Sequence, residues 1–128
     1  MTDVLPAELV TGNAVVDAHH RLILEKVAEL ALSRNVEYAL PQLEAYFNEH
    51  FAVEEEIMRD VNYPGYWTHY SAHREFYDRW RNIRALYLTR HDDEAKTMLI
   101  ASLESWLREH VLNTDKRLAE YLRTKGET

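Results

Sequence analysis

Four stretches of this chain repeat their apolar residues at three- and four-residue steps, the spacing of one face of an α-helix. The first runs through Ile23, Val27, Leu30 and Ala31, and the second through Leu43, Phe47, His50, Glu54, Ile57 and Val61. The third runs through His69, His73, Phe76, Trp80, Ile83 and Tyr87, and the fourth through Leu99, Leu103, Trp106 and His110. Histidines and a carboxylate thus stand on faces where a helical protein normally places leucine, and His20 joins the first face one turn before Ile23 and Leu24. Burying such groups without partners would cost roughly 2–7 kcal/mol apiece, against the roughly 5–15 kcal/mol that stabilises a whole domain. The chain has to fold so that something satisfies them.

The length of 128 residues allows one domain with one modest core, over residues 1–128. With only 3 Gly and 3 Pro, the chain is short of the tight turns that a β-rich domain needs. Residues 1–16, with Pro6 and the Thr11-Gly12-Asn13 turn, read as an extended N-terminal arm, after which Asp17 is a plausible N-cap. Helices are predicted over about 17–34, 37–60, 66–90 and 93–125. The start of the second is open, because Asn35 could cap it whereas Pro41 is comfortable only in a first turn. Asn62-Tyr63-Pro64-Gly65 breaks the chain firmly after it, and His91-Asp92-Asp93 forms the last link and cap. The prediction is an all-α, antiparallel up-down-up-down four-helix bundle.

Five imidazoles and carboxylates converging in a bundle core are what a metal site requires. With 7 His and 0 Cys, any metal or acid–base chemistry must use imidazole and carboxylate. His50 with Glu54, and His69 with His73, are four residues apart, so each pair lies on one face and can address a common centre. His110 and Asp115 are five apart, a step that turns about 140° beyond a full turn on an ideal helix. Either they straddle the site, or the helix widens locally into a π-type turn. The net charge of −7 argues against nucleic acid and anionic lipid as partners. The N-terminal residues do not read as a secretory signal and no stretch reads as a membrane span, so the expected compartment is the cytoplasm, without membrane insertion.

The ordered segments Gly12-Asn13, Asp17-Ala18-His19-His20, His50-Phe51-Ala52-Val53-Glu54-Glu55-Glu56-Ile57-Met58 and Tyr63-Pro64-Gly65-Tyr66 are followed by His69, His73, Trp106-Leu107, His110 and Asp115-Lys116. Together they resemble the hemerythrin family, specifically its bacterial single-domain members. The resemblance implies two iron ions. His69, His73 and His110 would bind one and His20 and His50 the other, with Glu54, Asp115 and an oxo or hydroxo group bridging them. If each iron takes about six ligands, this set leaves one place open, on the iron with two histidines. The resemblance makes that the place for dioxygen. Where the family commonly carries tryptophan ahead of the first ligand, this chain has Leu5.

Ile23, Phe51, Trp106, Leu107 and Val111 flank the ligand positions, and none is an obvious general acid or base. Five imidazoles to two carboxylates is also poorer in anionic donors than the glutamate-rich di-iron sites, which favours reversible binding over oxidation. The expectation is a non-enzymatic dioxygen-binding protein for storage, transport or delivery, with no protein recipient named by the sequence. The competing readings are a di-iron peroxidase that reduces hydroperoxides, and a module that senses oxygen or iron for a partner. Helical phase favours His20 over His19 as the inward residue. His91, Glu55 and Glu56 read as solvated, Trp80 and Tyr87 read as core, and the direction of Asn113 is open.

Overall fold

The computed structural model describes residues 7–125. The described residues form a short 3-10 turn at Ala7–Leu9 and the helices α1 (Ala14–Leu32), α2 (Val36–Asp60), α3 (Tyr66–Arg90) and α4 (Asp93–His110). A π-helical turn at Val111–Asp115 then runs straight into α5 (Lys116–Thr124), so α4, the turn and α5 make one helical rod. Each helix packs on its neighbours in sequence and α4 closes against α1, giving a four-helix bundle with no strand among the described residues. None of these helices is long and apolar enough to cross a membrane.

The first helix starts earlier than the sequence suggests. Asn13, not Asp17, is its N-cap: the Asn13 side chain accepts from the Val16 N–H at 3.0 Å. Asp17 lies within the first turn, buried, and accepts from the Thr11 N–H at 2.9 Å, the Thr11 hydroxyl at 2.7 Å and the Gly12 N–H at 3.2 Å. Gly12, at φ +93°, supplies the left-handed bend that folds this loop back onto the carboxylate. Within residues 1–16, then, the described part holds a 3-10 turn, this loop and the first residues of α1 instead of an extended arm. Leu5 and Pro6 lie outside the described residues.

In α2, Asn35 is the cap, accepting from the Tyr38 N–H at 3.2 Å, and Pro41 sits in the second turn. Pro41 has no N–H for the Glu37 carbonyl, but both residues are exposed, so water can take that bond. The end of α2 follows from Asn62, at φ +53°: its N–H donates to the Arg59 carbonyl at 3.2 Å and the Tyr63 N–H to Met58 at 2.9 Å. This double closure satisfies the last carbonyls and turns the chain toward α3. His91, also left-handed, ends α3, and Asp92 caps α4 by accepting from the Ala95 N–H at 2.8 Å.

The interior has two apolar regions. The larger includes Leu30, Leu40, Leu43, Phe47, Phe76, Trp80, Leu99 and Leu103, and the smaller holds Met58, Leu118 and Leu122. Trp80 is core as expected, its indole N–H donating to Glu44 at 2.6 Å, and Tyr87 is half-buried against the larger region.

Candidate metal centre

Between the two apolar regions α1 to α4 and the π turn contribute polar side chains to one buried cluster. α1 carries His20, α2 His50 and Glu54, α3 His69 and His73, α4 His110, and the π turn Asp115. All seven are buried, with at most 4% of any residue exposed. Of the two open placements for Asp115, the structure takes the widened turn: the Lys116 N–H bonds to the Val111 carbonyl five residues back. The extra residue in that turn returns Asp115 to the side of the helix that carries His110.

The donor atoms fall into two groups that share Glu54. One comprises Glu54, His69, His73 and His110, the other His20, His50, Glu54 and Asp115, and within each the atoms lie within 4.8 Å of one another. Each carboxylate also presents one oxygen to each group. Glu54 sets Oε1 3.0 Å from Nε2 of both His69 and His73, and Oε2 3.4 Å from Nε2 of His50. Asp115 sets Oδ1 3.1 Å from His69 and 3.0 Å from His110, and Oδ2 2.7 Å from His20.

These are not ordinary buried ion pairs. Among the described residues, eight buried side-chain atoms lack an aligned hydrogen bond: both ring nitrogens of His20, Nε2 of His50 and His110, Nδ1 of His69, Oε2 of Glu54 and both oxygens of Asp115. His20 Nε2 and Asp115 Oδ2 come within 2.7 Å yet are not aligned to bond. Native interiors leave few such groups bare, and the six that face the centre, all but Nδ1 of His20 and His69, fit two cations better than they fit one another. An all imidazole and carboxylate donor set suits iron and equally admits other first-row metals.

Without a metal, the carboxylates dominate the electrostatics. Burial would lower His69, but Asp115 and Glu54 outweigh it and lift the imidazole to about 8. Burial acts the same way on His110, and Asp115 with Glu54 raises it to about 10. For His50 burial prevails and the value falls to about 4. Burial alone would raise Glu54 and Asp115, yet the surrounding histidines hold both well below the usual carboxylate range.

Aromatic and aliphatic side chains enclose the cluster. Phe51 stacks on His73 with centroids 3.9 Å apart and 11° between planes, and Trp106 stacks on His110 at 4.4 Å and 15°. Ile23, Leu107 and Val111 are fully buried beside them, whereas Asn113 is exposed and does not face the interior. His91 is exposed, with Nδ1 3.6 Å from Glu37.

Two residues read from the sequence as solvent-facing are in contact with the cluster. Glu55 is half-buried and sets Oε2 2.8 Å from Nδ1 of His73, because α3 packs across the side of α2 that carries it. His19 sets Nδ1 3.1 Å from Nδ1 of His50. The signal for Glu55 was available: it follows Phe51 by four residues, one turn along the same face.

The profile of the hemerythrin HHE cation binding domain matches residues 11–122. The chain is 31% identical to a bacteriohemerythrin of Stenotrophomonas maltophilia over 124 residues, covering 91% of this chain and 78% of that protein. It is 26% identical to a bacteriohemerythrin of Aquifex aeolicus, over 87% of this chain and 90% of that one. It is also 30% identical to a myohemerythrin of Sipunculus nudus over 101 residues, covering 79% of this chain and 78% of that protein. With a match spanning nearly all of the four-helix bundle and every member of its buried cluster, the chain belongs to the hemerythrin HHE cation-binding family.

Proposed function

We propose that this protein holds two iron ions and binds dioxygen reversibly, for storage or delivery. In this reading His69, His73 and His110 would hold one iron and His20 and His50 the other, with Glu54 and Asp115 available to both. When bound, the iron pair supplies the redox-active centre at which O2 is taken up and released. The observation that carries the assignment is the split of each carboxylate, with one oxygen on the three-histidine group and the other on the two-histidine group.

The remaining residues govern what reaches that centre. Ile23, Phe51, Trp106, Leu107 and Val111 are at most 7% exposed and carry no acid or base. Packed around the ligand histidines, they would exclude water and offer no proton donor to the centre, which favours binding over turnover. The π turn keeps Asp115 on the inner side of its helix.

The test is optical. Iron-loaded protein, reduced without air, should develop a visible band on exposure to O2 and lose it under vacuum. Irreversible oxidation together with turnover of peroxide and a reductant would replace this reading with an enzymatic one. A preparation that takes up one zinc and no iron would overturn it.

A further inference from the structure

A single stretch of α2 grips the ring of His73 at three points. Phe51 covers its face at 3.9 Å, Glu54 Oε1 lies 3.0 Å from Nε2, and Glu55 Oε2 lies 2.8 Å from Nδ1. Among the described residues, no other histidine of the cluster has its outer ring nitrogen on a carboxylate from outside the cluster. The outer nitrogen of His50 meets the imidazole of His19, and that of His69 has no partner.

An ionised carboxylate only accepts hydrogen bonds, so a proton shared with Glu55 resides on Nδ1 of His73. With a metal ion at the centre of the cluster, that choice leaves the lone pair on Nε2 free to bind it; without one, Nε2 also faces an acceptor, Glu54 Oε1 at 3.0 Å. Outer partners of this kind fix ring orientation and raise donor strength. Glu55 is also set in place: its helix is continuous through the cluster, its neighbour Glu54 is fully buried, and its side chain is only 19% exposed.

We propose that Glu55 is a positioning residue for the three-histidine half of the centre, and that it makes the two halves chemically unequal. It locks His73 in the Nδ1–H tautomer, aims Nε2 inward and lends that ligand negative charge, while His50 receives only an imidazole. The proposal rests on His73 being an iron ligand.

Ring-nitrogen NMR on uniformly 15N-labelled protein tests it, metal-free and titrated with Zn2+, for the wild type, Glu55→Gln and Glu55→Ala. Zn2+-loaded wild type should show His73 as a single Nδ1–H tautomer with a proton protected from exchange. Glu55→Gln keeps an acceptor, so the tautomer should persist with a weaker hydrogen bond. Glu55→Ala should lose the protected proton and bind Zn2+ roughly 10- to 100-fold more weakly. In iron-loaded protein, Glu55→Gln should raise the reduction potential of one iron and leave the other nearly unchanged. An unaltered His73 signal with unaltered Zn2+ affinity in Glu55→Ala, or a potential indifferent to Glu55→Gln, would overturn the proposal. A wild type that fails to bind two metal ions per chain would instead overturn the parent assignment.

Discussion

Removing the metals with a chelator leaves the histidines and carboxylates of the cluster facing one another with nothing to coordinate, and the fold dictates which part of the bundle responds. Eight of their atoms are buried without an aligned hydrogen bond, and all but the outer nitrogens of His20 and His69 face the centre. At about 1–3 kcal/mol each, those six amount to roughly 6–18 kcal/mol. A chain of 128 residues commands on the order of 6–19 kcal/mol in total. The metal-free protein therefore has to relax by admitting water and protons. Water will enter where the least apolar packing opposes it, which is the side of the cluster held by Met58, Leu118 and Leu122 with the half-buried Ile57, Val61, Tyr63 and Tyr66 around them. The opposite side, with Leu30, Leu43, Phe47, Trp80, Leu99 and Leu103, is much better packed. Native-state hydrogen exchange resolves the two ends. On metal removal, amides of residues 54–66 and 111–124 should exchange far faster, while those of 27–47 and 76–103 keep most of their protection. One uncompensated group, at about 3 kcal/mol, is worth roughly 100-fold in exchange rate. Helical circular dichroism should fall only slightly. Uniform acceleration along the chain, or an unchanged pattern, would contradict this difference between the two ends of the bundle.

Phe51 is 2% exposed and packed on Phe47, Phe76, Trp106 and His73. Phe51→Ala should cost about 3–5 kcal/mol in urea denaturation, and a loss under about 1 kcal/mol would contradict that packing. Metal uptake at pH 7 should release about two protons, from His69 and His110 at about 8 and about 10, with none from His50 at about 4. Calorimetry in buffers of different ionisation enthalpy counts them, and a count of zero would contradict the assignment. The same two groups make the metal-free protein pH-sensitive: values raised above 6.5 contribute stability that is complete below about pH 6.5 and lost as pH rises through 8 and 10. Metal-free protein should thus melt at a lower temperature at pH 10 than at pH 7. Asp17→Ala strips three donors of Thr11 and Gly12 of their acceptor, and should cost about 2–4 kcal/mol without changing metal stoichiometry.

The legible part of the site was the part with a period. His50 and Glu54, or His69 and His73, repeat at four residues, so stripe and spacing alone place each pair on one helix face. Asp115 follows no α-helical period from His110, and the chain resolves that by widening the backbone, a choice that depends on Leu118 and Leu122 also needing to turn inward. Asp17 carried a cap's chemistry, but Asn13 carried it too. The left-handed Gly12 between them decides the matter by folding the loop donors onto Asp17. Glu55 and His19 lie about 100° around their helices from Glu54 and His20, which reads as solvent in a helix taken alone. The packing of a neighbouring helix brings them against His73 and His50, and for Glu55 the inward Phe51 one turn earlier was the one sign of it.

The wide turn at Val111–Asp115 acts as a phase adjuster between two inward faces that no single helical period could join. Ahead of it the buried positions include Leu99, Leu103, Trp106 and His110, and at its end and beyond it they include Asp115, Leu118 and Leu122. Most helices absorb a one-residue insertion by bulging; here the bulge is already in use. Inserting one further residue in 111–114 would rotate everything after it by about 100°. Asp115 and the apolar residues beyond it would swing out of the interior together, while the helix content stayed the same. Length in this short segment is thus as much a determinant of the centre as the identity of any residue that faces it.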